Sequence, residues 1–256
     1  MNQESKLPDL LEKFYKTGTT YGISGQKKNI TGGIQYDEAQ ILRRMIIDTD
    51  AQYSLETGVA NGLSALSICS AHPNGNNSKS KSHVHYGVDP CQMTDHDGAA
   101  LWATNEAGYS DRFKLLEGPS HLMIPELISK GITLDCAFID GWHTFDYILI
   151  DFFLIDKILK PGGIVAFHDM NLAATQKVVN FLLTHRNYTI ETKYLEKIDN
   201  SIIYKIARFS RIMLSKKYRF YNKKLWSTIM NYRVKGIFLL RKENENEPKW
   251  DYFHDF

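Results

Sequence analysis

The chain has 256 residues, of which 43% are hydrophobic and 23% charged, and its formal net charge is +2. This balance is that of a soluble globular protein, and it excludes both a disordered chain and one that is basic over its whole surface. Three cysteines (Cys69, Cys91, Cys136) without CxxC spacing exclude a disulfide framework or zinc knuckle, and no apolar leader or membrane-length apolar run is seen, so a cytoplasmic location is expected.

In chain order, residues 1–50 hold two helical patterns, 7–15 and 37–47, on either side of the loop GTTYGISGQKKNITGG. From residue 51, strand-like and helix-like patterns alternate. Residues 53–59 read as a strand ending in glycine, 63–71 as a helix, 72–82 as a polar loop and 83–89 as a second strand. A helix over 97–108 leads to a strand at 113–117, and Ser120 stands where it would cap a helix running to 128. The strand 135–140 precedes a helix over 145–159, which Pro161-Gly162-Gly163 stops, and a strand at 163–169 follows. After a helix over 172–185 come two strand-like runs, 188–194 and 201–207, with only a short turn region between them.

Repeated βα units need crossover connections, so the strands form a mostly parallel sheet covered by helices on both faces. The last two runs have no helix between them and are expected to pair antiparallel at one edge. The expected fold is α/β: a seven-stranded, mostly parallel sheet with an antiparallel terminal hairpin. The expected organisation is a helical or lid segment over 1–50, the α/β domain over 51–207 and a basic extension over 208–256.

The first strand of this domain ends in Glu56-x-Gly58-x-x-x-Gly62, and the second ends in Gly87-Val88-Asp89. Glycines at that turn let the backbone approach a ligand closely, and an acid after the second strand can accept hydrogen bonds from ribose hydroxyls. The spacing is not GxGxxG, since Leu63 stands where a third glycine would be, so a dinucleotide is disfavoured. The plainer alternative is a βα turn and a helix cap. Both elements together, at the expected separation, favour a nucleoside site.

Asp140 ends the strand 135–140, and His168-Asp169 end the strand 163–169. Adjacent carboxyl ends of a parallel sheet form one crevice, so three ligand-type side chains converge there, with His143 a short turn away. His143 is the candidate general base, because imidazole titrates near neutral pH; the alternative is a helix-start histidine bonded to backbone. For His168 the rival role is a buried structural histidine.

These features resemble the class I S-adenosylmethionine-dependent methyltransferases, a Rossmann-like family. The stretch FIDGWHTFDYILIDFFLIDKILKPGGIVAFHD resembles the macrocin O-methyltransferase-like (TylF-type) branch, and the similarity covers about residues 30–207. The resemblance implies that Glu56, Gly58 and Gly62 belong to the cofactor turn, with the two glycines lining the methionine portion. It implies that Asp89 holds the ribose, that Gly118 and Ser120 lie beside the adenine, and that Asp140 lies near the sulfonium. By the same resemblance Asp140, His168 and Asp169 would hold a divalent ion in metal-dependent relatives. An imidazole in that set shifts the choice from magnesium toward manganese, iron or zinc, or leaves the site metal-free. No Asn/Asp-Pro-Pro-aromatic sequence, phosphate-binding loop or Gly-x-Ser-x-Gly elbow occurs.

Between Arg208 and Lys242 lie eleven Lys/Arg residues and no acid. Leu214, Tyr218, Tyr221, Leu225 and Ile229 recur at helical spacing, which predicts an apolar stripe on a cationic helix. Such a helix packs on the core or a second copy, lies on a membrane surface over 208–242, or contacts nucleic acid. The expected activity is methyl transfer to a small-molecule hydroxyl on a sugar, glycolipid or phenol, with metal assistance an option. The alternatives are a nucleic-acid methyltransferase docked by the tail, or a non-catalytic membrane- or partner-binding module with a degenerate core.

Overall fold

A computed structural model of the chain describes residues 7–71, 84–198, 207, 209, 210, 223–234 and 236–256. Its centre is a seven-stranded sheet in the order β5-β4-β3-β6-β7-β11-β8. Five strands are parallel: β3 (Tyr53–Thr57), β4 (Val84–Val88), β5 (Phe113–Leu116), β6 (Leu134–Ile139) and β7 (Leu159–Phe167). The two others, β8 (Tyr188–Ile190) and β11 (Phe238–Lys242), complete one edge, with β11 antiparallel to both β7 and β8.

Strands buried on both faces show a two-residue alternation between two apolar layers. Ala137, Ile139, Val165, Phe167, Phe238 and Leu240 face one layer, with α5 (Ser120–Ser129), α6 (Phe145–Asp156) and α7 (Ala173–His185) packed over them. Cys136, Phe138, Ile164, Ala166 and Leu239 face the other, which is covered by α1 (Asp9–Thr17), α2 (Tyr36–Asp48) and α3 (Leu63–Ala71). The helices after β3 and β6 therefore lie on opposite faces. That change of side opens a crevice between the carboxyl ends of these two neighbouring strands, the usual ligand position in such sheets.

Smaller elements complete the chain: the hairpin β1 (Thr19–Tyr21) and β2 (Lys27–Asn29), α4 (Ala99–Glu106), and the short pair β9 (Glu196–Lys197) and β10 (Tyr232–Arg233). Helix α8 (Lys223–Asn231) follows residues 211–222 and buries Leu225 and Ile229 in the first apolar layer. Leu214, Tyr218 and Tyr221 of the predicted stripe, and the polar loop 72–82, lie outside the described residues.

Three local expectations are corrected. Ser120 is the first residue of α5 and does not cap it, because Pro119 occupies the cap position. Pro161-Gly162-Gly163 does not stop α6, which already ends at Asp156; it lies inside β7. There Leu159 pairs with Leu134 but Ile164 with Cys136, so these residues form the bulge of an irregular register, where glycine and proline are tolerated. The seventh strand is β11, inside the segment expected to be an extension; of the expected strand 201–207, residues 201–206 lie outside the described residues and Ala207 is helical. Lys242, only 1% exposed, fixes β11 by donating to the carbonyls of Asp156, the last residue of α6, and Leu159, the first of β7.

Candidate functional site

A cavity of about 830 Å³ opens at the crevice between β3 and β6. It is lined by the turn after β3 (Gly58 to Asn61), by Asp89, Ser120 and Asp140, by the Gly141-Trp142-His143 loop, and by His168 and Asp169. The N-terminal segment Thr31 to Gln35, with Glu38 of α2, closes another side.

The turn requires glycine at position 58. Its φ is +80°, and a Cβ there would overlap the backbone carbonyl of Asp140. This close approach lets the β3 and β6 loops share one wall. Ala60 is also left-handed, at φ +45°, a conformation that non-glycine residues adopt only when the surroundings hold them. Here Asp89 does so. Its Oδ2 accepts from the amides of Val59 (3.1 Å) and Ala60 (2.9 Å), and its Oδ1 from that of Cys91 (2.8 Å). Gln92 adds a bond to Asp89 Oδ2 at 3.2 Å and one to the Ala60 carbonyl at 2.7 Å. Asp89 thus builds the turn as well as facing the cavity.

Not every residue expected at the cofactor reaches the cavity. Glu56 is fully buried on the other face of β3, where its Oε1 lies 3.1 Å from Nε2 of His85, and His85 Nδ1 is 2.9 Å from the Ser54 hydroxyl. The two-residue period explains this, since Ser54 and Glu56 share a face that Thr57 does not. Gly62 is outside the lining too; it permits the close approach of Ala100 on α4. Gly118 packs on Met123, while its neighbours Pro119 and Ser120 do line the cavity.

At the other end, Asp140 and His168 extend the sheet, their amides donating to the carbonyls of Thr57 and Ile139 at 3.0 Å each. Asp169 is left-handed (φ +53°), which turns its carboxylate toward Asp140 and away from the strand direction. His143 Nε2 lies 3.4 Å from Asp140 Oδ1 and 3.3 Å from Asp169 Oδ2. The hydrogen bond to Asp140 raises the His143 pKa above the ordinary imidazole value; burial opposes the shift and the Asp169 charge adds to it.

His168 is positioned differently from the expectation that made it a metal ligand. Its Nδ1 is 2.9 Å from Asp140 Oδ1 and its Nε2 is 3.2 Å from Glu38 Oε2. Burial alone would lower its pKa, but the bonds to Asp140 and Glu38 prevail and lift it to about 10. Both ring nitrogens are turned to carboxylates, Nδ1 to Asp140 and Nε2 to Glu38. Among the described residues, the group whose ligand atoms all lie within 4.8 Å of one another is Asp140, His143 and Asp169. Two carboxylates and one imidazole suit a divalent cation.

Two acids in the cavity wall carry no motif. Glu38 belongs to the capping box of α2 with Gln35, a local pattern that says nothing of its contact across 130 residues of sequence. Asp151 lies on the buried face of α6 among Ile148, Phe152 and Ile155, and burial raises its pKa. A carboxylate on an otherwise apolar helix face was the available signal.

Residues 55–170 match the family model of a methyltransferase domain. Among solved structures, the chain is similar to an O-methyltransferase from Bacillus cereus in complex with S-adenosylhomocysteine, with TM-score 0.62, 11% identity, and coverage of 93% of this chain and 92% of that one. It is also similar to TomG from Streptomyces achromogenes, an O-methyltransferase involved in tomaymycin synthesis and bound to S-adenosylmethionine (TM-score 0.60, 14% identity, 93% and 91% coverage). No curated protein matches the chain. The sheet has the Rossmann-like methyltransferase fold of these structures, and the stretch that matches a methyltransferase domain, residues 55–170, lies within it.

Proposed function

We propose that the chain transfers a methyl group from S-adenosylmethionine to a hydroxyl of a small molecule, a sugar, glycolipid or phenol. The observation that carries this reading is the meeting of the Gly58 turn with Asp140, His143 and Asp169 in one cavity. Its volume, about 830 Å³, lies in the upper part of the range for small-molecule sites and leaves room for an acceptor beside the cofactor. Thr57, Ser120 and the Asp151 carboxylate meet in its wall, where a ligand amine or hydroxyl can join their hydrogen bonds.

The bound cofactor supplies a methyl group already activated on a sulfonium. The protein has two remaining tasks. Gly58 and the turn around it hold the methyl donor, with Asp140 facing the positive sulfonium. His143, about half exposed and anchored by two carboxylates, orients the acceptor hydroxyl and takes its proton as the new carbon–oxygen bond forms. Positioning of this kind supplies a large share of such a rate.

A second reading is favoured by the compact Asp140, His143 and Asp169 group: the three would hold a divalent cation that binds the acceptor oxygens and acidifies them. His168 has no part as a ligand in that arrangement. The two readings differ in their response to EDTA.

Thermal unfolding with S-adenosylmethionine, S-adenosylhomocysteine and NAD, each with and without Mg²⁺ or Mn²⁺, tests the cofactor reading. A ligand at about a hundred times its dissociation constant stabilises by roughly 2.7 kcal/mol. A shift with the two methionine-derived ligands alone is expected, and no shift with either would overturn it. Labelled methyl transfer to a panel of sugars and phenols then identifies the acceptor, and loss of turnover in EDTA selects the metal reading.

A further inference from the structure

Glu38 is an acid in the N-terminal segment, 4% exposed, that touches the catalytic crevice from a helix on the far side of the cavity. Its Oε2 accepts from the Gln35 amide at 2.7 Å and contacts His168 Nε2 at 3.2 Å. The other nitrogen of His168 lies 2.9 Å from Asp140 Oδ1, the same oxygen that faces His143. Glu38, His168 and Asp140 therefore form a chain of contacts with no water-sized gap in it. A buried carboxylate with two short, directional contacts is held far more tightly than a surface acid.

The far end of the sequence seals this chain. The carbonyl of Gly236, just before β11, accepts from the Met170 amide at 3.1 Å, and its Cα lies against Glu38 and His168. A Cβ at position 236 would overlap Glu38 Oε1 and come within 3.3 Å of His168 Nε2. The φ of Gly236 is not in the left-handed region, so glycine is needed here for space and not for backbone conformation.

We propose that Glu38 is a positioning residue for methyl transfer. It fixes His168, and His168 sets the carboxylate of Asp140 toward the methyl donor. In doing so it fastens the N-terminal wall of the cavity to the sheet. This rests on the reading above, in which Asp140 faces the sulfonium. The cofactor and its demethylated product differ there by one positive charge, so the ratio of their affinities reports the placement of Asp140.

The test uses the full chain and isothermal titration of S-adenosylmethionine and S-adenosylhomocysteine into wild type, Glu38→Ala, Glu38→Gln, Gly236→Ala and Asp140→Asn. Each titration is run well below the variant's melting temperature. Wild type is expected to favour the charged ligand, and Asp140→Asn to lose that preference. Glu38→Ala and Gly236→Ala should move the ratio several-fold in the same direction, Glu38→Gln should restore part of it, and Glu38→Ala should add nothing in the Asp140→Asn background. A merely structural role would lower melting temperature and leave the ratio unchanged. An unchanged ratio in both Glu38→Ala and Gly236→Ala overturns the inference. Wild type that binds neither ligand overturns the cofactor reading, and this inference with it.

Discussion

At the scale of single residues, the site is a row of charges whose protonation is set by neighbours. His143 must be neutral to accept a proton, and its pKa is raised above the ordinary 6.5. Activity should therefore rise with pH through a value above 6.5, and the acid limb of the kcat/KM profile locates it. A limb at or below the ordinary imidazole value would remove His143 as the base. Replacing it with Gln should cost about 10²- to 10⁴-fold in kcat, the usual share of a positioned base. His168 gives the opposite dependence, on stability. Its folded pKa of about 10 exceeds the ordinary 6.5, so its contribution is complete below 6.5 and is lost as pH rises toward 10. Melting temperature should fall over that window more steeply in wild type than in His168→Gln.

At the scale of elements, what was legible depended on whether the signal was local. The alternation of strands and helices was readable because each strand's apolar run and each turn's glycine are neighbours in sequence. That Gly58, Asp89 and Asp140 line one cavity was readable because strand ends in a parallel sheet converge by topology alone. Glu56 was not, because one position along a strand reverses the face and nothing nearby marks which face holds the ligand. The partner of β8 was misplaced for a related reason: two adjacent β-rich runs look like a hairpin, and a strand that begins 48 residues beyond Ile190 leaves no local trace. Lys242 shows what holds that strand. Its ammonium satisfies two carbonyls where α6 passes into β7 and lies 3.3 Å from Asp156, itself bonded by the Tyr188 hydroxyl at 2.7 Å. Lys242→Met should destabilise by about 1.5–3 kcal/mol, as expected for lost bonds to a charged group. Denaturant unfolding measures it. A change within ±0.5 kcal/mol, typical of surface sites, would show that the contact is incidental.

At the scale of the whole molecule, segments on both sides of the α/β core contribute to the cavity and the sheet. Residues before 51 supply a wall of the cavity, and the segment after 207 supplies a helix in the core, Gly236 and a strand inside the sheet. No helix among the described residues is long and apolar enough to cross a membrane. Removing residues 208–256 would not isolate a tail activity. It would strip β11 from between β7 and β8 and expose Val165, Phe167 and Tyr188. Such a truncation should be insoluble or lack a cooperative unfolding transition, as circular dichroism would show. A soluble, cooperatively folding 1–207 fragment would refute that view of the tail.

The place of β11 also has a consequence for how the protein is made. During synthesis β3 to β7 emerge in an order that lets each find a neighbour, but β8 pairs, among the described residues, with a strand that has not yet left the ribosome. Until residue 242 has emerged, β7 carries an open edge with unpaired backbone groups, the kind of surface that recruits other chains. Closing it requires a contact of high sequence separation, which slows folding. Stalled or prematurely ended chains of this protein are therefore the species that a chaperone would meet.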